Sequence, residues 1–260
     1  MRLARLLLGT LGISLQRELS FRTDLIVRVL LTLLTAAGTV GTLAAVYARV
    51  HTLAGWTYGE AVTVLGMFVM VNGLLQALVE PNLEWFAGKV RGGALDDILL
   101  KPAPAAFLAS LATSRPFALI DVVIGGGITA VGLTRSGASV TPATATACVV
   151  LVAVGVVVAW ALRFVLASMS FWAGGLELTV LFSAPWQLGR YPTDVYGGRL
   201  RLVLTYVVPV AFVSTRPARA LAHGASLRTL AAAVAVATGA VAVALGVWRA
   251  GLRRYTSATS

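Results

Sequence analysis

The sequence predicts an all-α integral membrane protein: an N-terminal interfacial amphipathic helix, then six transmembrane helices, with a re-entrant segment between the fifth and sixth. Three observations predict it. Apolar residues make up 58% of the 260 and charged ones only 12%, with a mean hydropathy of +0.87. A soluble domain carries about twice that charged share, because water must wet its surface. The apolar residues fall into runs of roughly 20, the length that crosses a ~30 Å hydrocarbon core. The basic residues lie between those runs, not in one patch interleaved with aromatics. The net charge of +11 therefore argues for chain orientation and anionic headgroups, and against nucleic acid.

Residues 1–22 are expected to lie in the interface. Leu3, Leu7, Leu11, Leu15 and Leu19 share one side of a helix, and Arg2, Arg5, Gly9, Gly12 and Gln16 the other. The start imitates a signal peptide, but Gln16-Arg17-Glu18 offers no small-residue cleavage site. An uncleaved anchor is the competing reading. The spans follow as Leu25–Tyr47 (broken only by Arg28), Ala61–Val79, Pro116–Leu133 (holding Asp121), Ala143–Ser168 (holding Arg163) and, last, Leu230–Trp248. Phe171–Leu188 is taken as the fifth span, although Glu177, two glycines and Pro185 interrupt it. Leu202–Thr215 has 14 residues, reaching about 21 Å, so it is expected to dip back into the membrane, within a re-entrant region at 199–222. The whole chain, 1–260, reads as one transmembrane domain.

Orientation follows from the basic residues. Arg2, Arg5, Arg17 and Arg22 precede the first span, Lys89, Arg91, Lys101 and Arg115 lie between the second and third, and Arg249, Arg253 and Arg254 follow the last. The positive-inside rule then puts both termini and the 80–115 loop in the cytoplasm. Arg190, Arg199, Arg201, Arg216, Arg219 and Arg228 oppose this, since all six would be external. The alternative is that Leu202–Thr215 crosses and Phe171–Leu188 does not.

Nothing in the sequence supplies catalysis. Gly88-Lys89 is the sole Gly-Lys pair, with Leu83 and Val90 where a phosphate loop needs a glycine and a hydroxyl. Two histidines and the single cysteine, Cys148, provide neither a histidine metal motif nor a thiolate site. The chain is read as a non-enzyme without a cofactor. A membrane-embedded enzyme or an unpartnered structural protein is the alternative.

The informative segment is 82–103. An amphipathic stretch with Trp85 and Phe86 runs to a Gly92-Gly93 turn, and Ala94–Leu100 follows, apolar except for Asp96 and Asp97 and stopped by Lys101-Pro102. A partly apolar helix outside the bilayer calls for a protein partner. The run Val90-Arg91-Gly92-Gly93-Ala94-Leu95-Asp96, closed by Leu99-Leu100-Lys101-Pro102, resembles the cytoplasmic signature of ABC-2 type exporter permeases. Val71-Asn72-Gly73-Leu74-Leu75 with Glu80-Pro81-Asn82 resembles the end of that family's second span. Gly189 to Tyr196 and Leu204 to Phe212, with Pro217-Ala218, resemble its re-entrant region, and Gly251-Leu252-Arg253-Arg254-Tyr255 its tail. Gly197-Gly198 departs from the pattern, where a proline and a bulky residue are expected.

The resemblance implies a permease in a bacterial cell membrane, paired with a second, identical or related permease and with a dimer of ATPase subunits that hold ATP and Mg. Trp85, Phe86, Arg91, Gly92, Gly93, Leu95, Asp96, Leu99, Leu100, Lys101 and Pro102 would form the coupling contact. ATP-driven closure would push on that segment and drive efflux of a drug-like, lipid or other amphipathic substrate.

Polar residues inside spans complete the candidates. Asn72, Gln76 and Glu80 lie at i, i+4 and i+8 and form one stripe, a translocation path or else helix–helix hydrogen bonds. Asp121 and Arg163 sit about 7–8 Å below the same surface and are expected to pair. Ala231, Ala235 and Gly239 are expected to allow close packing of the last span.

Overall fold

A computed structural model describes residues 22–92, 95–96, 100, 105–111, 113–172 and 178–255. The expected interfacial helix, and Gly93, Leu99, Lys101 and Pro102 of the coupling segment, lie outside these residues. The described residues are helical, with a single isolated bridge, Leu53 to Trp56, in the first turn. The helices are α1 (Arg22–Tyr47), α2 (Tyr58–Leu78), α3 (Glu80–Arg91), α4 (Ala105–Leu111), α5 (Ile120–Ser136), α6 (Pro142–Ser168), α7 (Leu178–Gln187), α8 (Gly198–Leu202), α9 (Arg216–His223) and α10 (Leu227–Leu252). Five are long and apolar enough to cross a membrane: α1, α2, α5 with its preceding turn, α6 and α10.

Local chemistry sets the ends. Thr57 caps α2 reciprocally with Glu60, Thr141 caps α6 with Thr144, and the Ser226 side chain accepts from the Thr229 N–H at 3.2 Å to start α10. Gly137, at φ 69°, stops α5 in the left-handed conformation that a side chain resists. Pro81, without an N–H, sits in the first turn of α3 and separates it from α2.

Helices α2 and α5 pack backbone against backbone. Gly59 and Gly66, seven residues apart, face Gly132 and Gly125 at the same spacing. A Cβ on Gly125 would lie 2.7 Å from the Gly66 carbonyl oxygen, and one on Gly59 would lie 2.8 Å from that of Gly132. The absence of side chains there lets the backbones touch. The stripe expected for the last span is corrected. Gly239 has open space around its Cα, and Ala231 and Ala235 are exposed. Ala233, Ala237 and Ala244 are the buried face of α10 instead, with Ala233 and Ala237 packed on Ala147, Leu151 and Val158 of α6. Small residues occupy almost every face of this helix, so spacing alone does not pick out the buried one.

Between α6 and α10 the chain makes two unlike passages. The fifth span is not one long helix among the described residues: α7 has ten residues with Pro185 inside, and a 3-10 turn, Leu188–Arg190, follows it. This stretch nevertheless climbs the molecule. Phe171 packs on Phe86 and Trp248 at one end, Trp186 bonds Asn72 partway along α2, Gly189 lies against Phe68, and Asp194 reaches Trp56 at the other end. The following arm, Gly198–Val207, and the returning arm, Ala211–His223, are bent at 77° to each other. Val208 precedes Pro209 and leaves the helical region (ψ 79°), so the turn falls there. Arg201 on the first arm and Arg219 on the second both bind Asp194 at 2.5 Å. Both arms are thereby tied to one carboxylate at the Trp56 end.

Candidate translocation cavity and coupling segment

The α2 part of the polar stripe, Asn72 and Gln76, faces a cavity of about 500 Å³ between α1, α2, α5 and the turn at Leu188–Arg190, whereas Glu80 begins α3. Asn72 and Gln76 line it; Glu80 does not. Every member of the stripe is hydrogen-bonded. Trp186 Nε1 donates to Asn72 Oδ1 at 3.1 Å, and Arg28 Nη2 donates to Gln76 Oε1 at 2.6 Å. Arg163 Nη2 lies 3.3 Å from Glu80 Oε1, with its guanidinium 3.8 Å from the Trp186 ring. Hydrogen bonding between elements and lining of a cavity are thus combined in Asn72 and Gln76.

The expected pair of Asp121 with Arg163 is corrected. Asp121 accepts from Arg28 at 2.5 Å and from the Thr32 hydroxyl at 2.9 Å, both on α1, while Arg163 faces Glu80. The depths were matched, but depth is only one coordinate. Asp121 points from α5 toward α1, beside Gly73 of α2, and α6 presents Arg163 to the end of α2. Arg28 and Thr32 of α1 thus join the polar lining of the cavity. A lone arginine in an apolar run was the available signal. Nothing in the sequence pointed to Trp186.

The coupling segment divides in two. Phe86 is fully buried, with ring centroids 5.2 Å from Trp248 and 5.9 Å from Phe171. Leu95 is fully buried as well, and its N–H donates to the Tyr255 hydroxyl at 3.0 Å. Neither can present itself to another subunit, and their expected contact role is corrected: Leu83, Phe86 and Val90 are the face of α3 turned onto the chain's own core. Trp85 and Gly92 are exposed, and Leu100 is 85% exposed. Asp96 is half-buried. The Arg91 side chain lies outside what is described. Asn82 is buried and ties α3 to the loop at Thr113: its amide donates to the Thr113 carbonyl at 2.8 Å, and its oxygen accepts from the Thr113 N–H at 2.6 Å.

At the opposite end Asp194 is the hub. It accepts from Trp56 Nε1 at 3.0 Å besides Arg201 and Arg219. His223 Nε2 lies 2.7 Å from Glu60 Oε1. Arg190 lies over Phe68 and Arg216 over Phe212, so four of the six arginines that opposed the orientation have a carboxylate or ring partner. Burial pushes the Tyr196 phenol up to about 12, so it keeps its proton and donates to the Leu188 carbonyl at 2.8 Å. Among the described residues no group of three metal-ligating side chains comes together.

Residues 33–259 match the sequence family described as ABC-2 family transporter protein. No curated protein and no solved structure matches.

Proposed function

The chain belongs to the ABC-2 family of transporter proteins and is a multi-pass membrane component of an ABC transporter; from that premise we propose that it pairs with a second permease and with a separate ATPase dimer to export an amphipathic substrate. Family membership over 33–259 is the observation that carries this reading. ATP and Mg are held by the ATPase subunits, and both termini and the α3 segment face the cytoplasm of a bacterial cell.

Coupling runs through α3 by rigid contact. Trp85, Leu100 and Asp96 offer the exposed or half-buried chemistry to the ATPase. Phe86 and Leu95, behind them, are wedged against α6, α10 and the tail through Phe164, Trp248 and Tyr255. A push on the outer face of α3 is therefore delivered to two long helices at once, the condition for a rigid-body switch. The cavity beside α1, α2 and α5 is the translocation path, with Arg28, Asp121, Asn72 and Gln76 as its polar lining.

Co-expression of the chain with candidate ABC ATPase subunits from the same genome, followed by purification on a tag carried by this chain alone, tests the proposal. Co-purification and ATP hydrolysis that rises with substrate support it. A well-folded, inserted chain that never retains an ATPase overturns it.

A further inference from the structure

Two crevices meet at the re-entrant hairpin, and together they have the chemistry of a single amphiphile. The first, of about 370 Å³, lies at the Trp56 end and is lined by Arg201, Arg216 and Arg219 with the hydroxyls of Thr193, Ser226 and Thr229. The second, of about 510 Å³, lies deeper, between the hairpin, α6 and α10. Its walls are apolar: Val158, Leu162 and Val165 on α6, Val236 and Val243 on α10, and Val207 on the hairpin. Thr205 and Arg216 line both, so the two crevices adjoin at these side chains. Arg216 sits at the junction with its guanidinium 4.0 Å from the Phe212 ring.

Charge in the polar crevice does not balance. Three guanidiniums line it with one carboxylate, Asp194, which Arg201 and Arg219 already share. Arg216 has no carboxylate partner among the described residues. A guanidinium fork fits phosphate oxygens in a bidentate way, and its planar stacking on an aromatic ring holds it ready for that geometry. The apolar crevice opens sideways: Tyr206 and Val207, at the hairpin tip, are 74% and 61% exposed. A small anion would use the first crevice and leave the second without a role.

We propose that the adjoining crevices bind one anionic phospholipid from the leaflet at the Trp56 end, with its phosphate among Arg201, Arg216 and Arg219 and its acyl chain along α6 and α10. The site is separate from the cavity beside α1, α2 and α5, and it does not depend on the ATPase or on the substrate. A lipid held there braces the hairpin against both helices.

Native mass spectrometry of the full chain, delipidated in nonionic detergent, tests this with three probes: phosphatidylglycerol, phosphatidylcholine and inorganic phosphate. One phosphatidylglycerol should bind per chain, at least tenfold more tightly than phosphatidylcholine. Arg216→Gln and Arg219→Gln should each weaken it at least tenfold, while Arg49→Gln, exposed at the same end but outside the crevice, should not. Ala232→Trp, which fills the apolar crevice and keeps every charge, should weaken phosphatidylglycerol alike, and it decides the matter if the arginine variants do not fold. Equal binding of the two lipids, or lipid binding unchanged in Ala232→Trp, overturns the proposal. So does competition by inorganic phosphate at the lipid's own concentration, which would mark an anion site without a chain.

Discussion

Arg28 and Asp121 show how a membrane protein carries charge in an apolar run. Alone, either would cost about 2.5–3.5 kcal/mol at the bilayer centre. Together, with the Thr32 hydroxyl donating to Asp121 and Gln76 accepting from Arg28, both are accommodated beside a cavity. Removing one partner leaves the other buried and unpaired, a loss of about 3 kcal/mol, whereas neutralising both removes the problem. Arg28→Gln and Asp121→Asn should therefore each lower the melting temperature in detergent by several degrees, and the double variant should recover most of the loss. Simple addition of the two losses would contradict the pairing. Phe86 belongs to the same scale: it is buried within the chain, so Phe86→Ala should cost about 3–5 kcal/mol of the permease's own stability, read by thermal unfolding without any partner present.

Elements are joined by what side chains leave out. The α2–α5 contact rests on glycines seven residues apart on both helices, and a Cβ at Gly66 or Gly125 would collide with backbone atoms. Gly125→Val should force the helices apart, costing about 1–3 kcal/mol or more, visible as loss of monodisperse protein. Gly239→Ala, in open space on α10, should change stability by less than about 0.5 kcal/mol. The hairpin makes a second prediction at this scale. With Cys148 replaced by serine, cysteines introduced at Arg199 and His223 should be labelled by an impermeant reagent from the same side of the membrane, because both arms meet at Asp194. Labelling from opposite sides would mean that the segment crosses.

At the scale of the whole molecule, α3 is a bracket with two faces. Its inner face is fixed to α6 and α10 by an aromatic cluster, and its outer face offers Trp85, with Leu100 beyond the turn. Trp85→Ala and Leu100→Asp should leave insertion and melting unchanged but reduce substrate-stimulated ATP hydrolysis in the assembled transporter at least several-fold. If both variants hydrolyse ATP like the parent, coupling does not run through this face.

Membrane residence and the five long apolar helices were legible in the residues, because hydropathy and run length are properties of a chain read along one dimension. The small-residue spacing of Gly59, Gly66, Gly125 and Gly132 is as readable as the stripe of Ala231, Ala235 and Gly239 on α10, which faces outward. Depth of a charge in the bilayer could be counted as well, and Asp121 and Arg163 do lie inside their helices. Their partners could not be. Which residue a charge meets depends on the rotation of each helix about its axis and on which helix stands beside it, and that is set by packing of all the spans together. Only the folded chain turns Asp121 toward Arg28, buries Phe86 and Leu95 behind the surface they were expected to form, and brings Arg201 and Arg219 to one carboxylate.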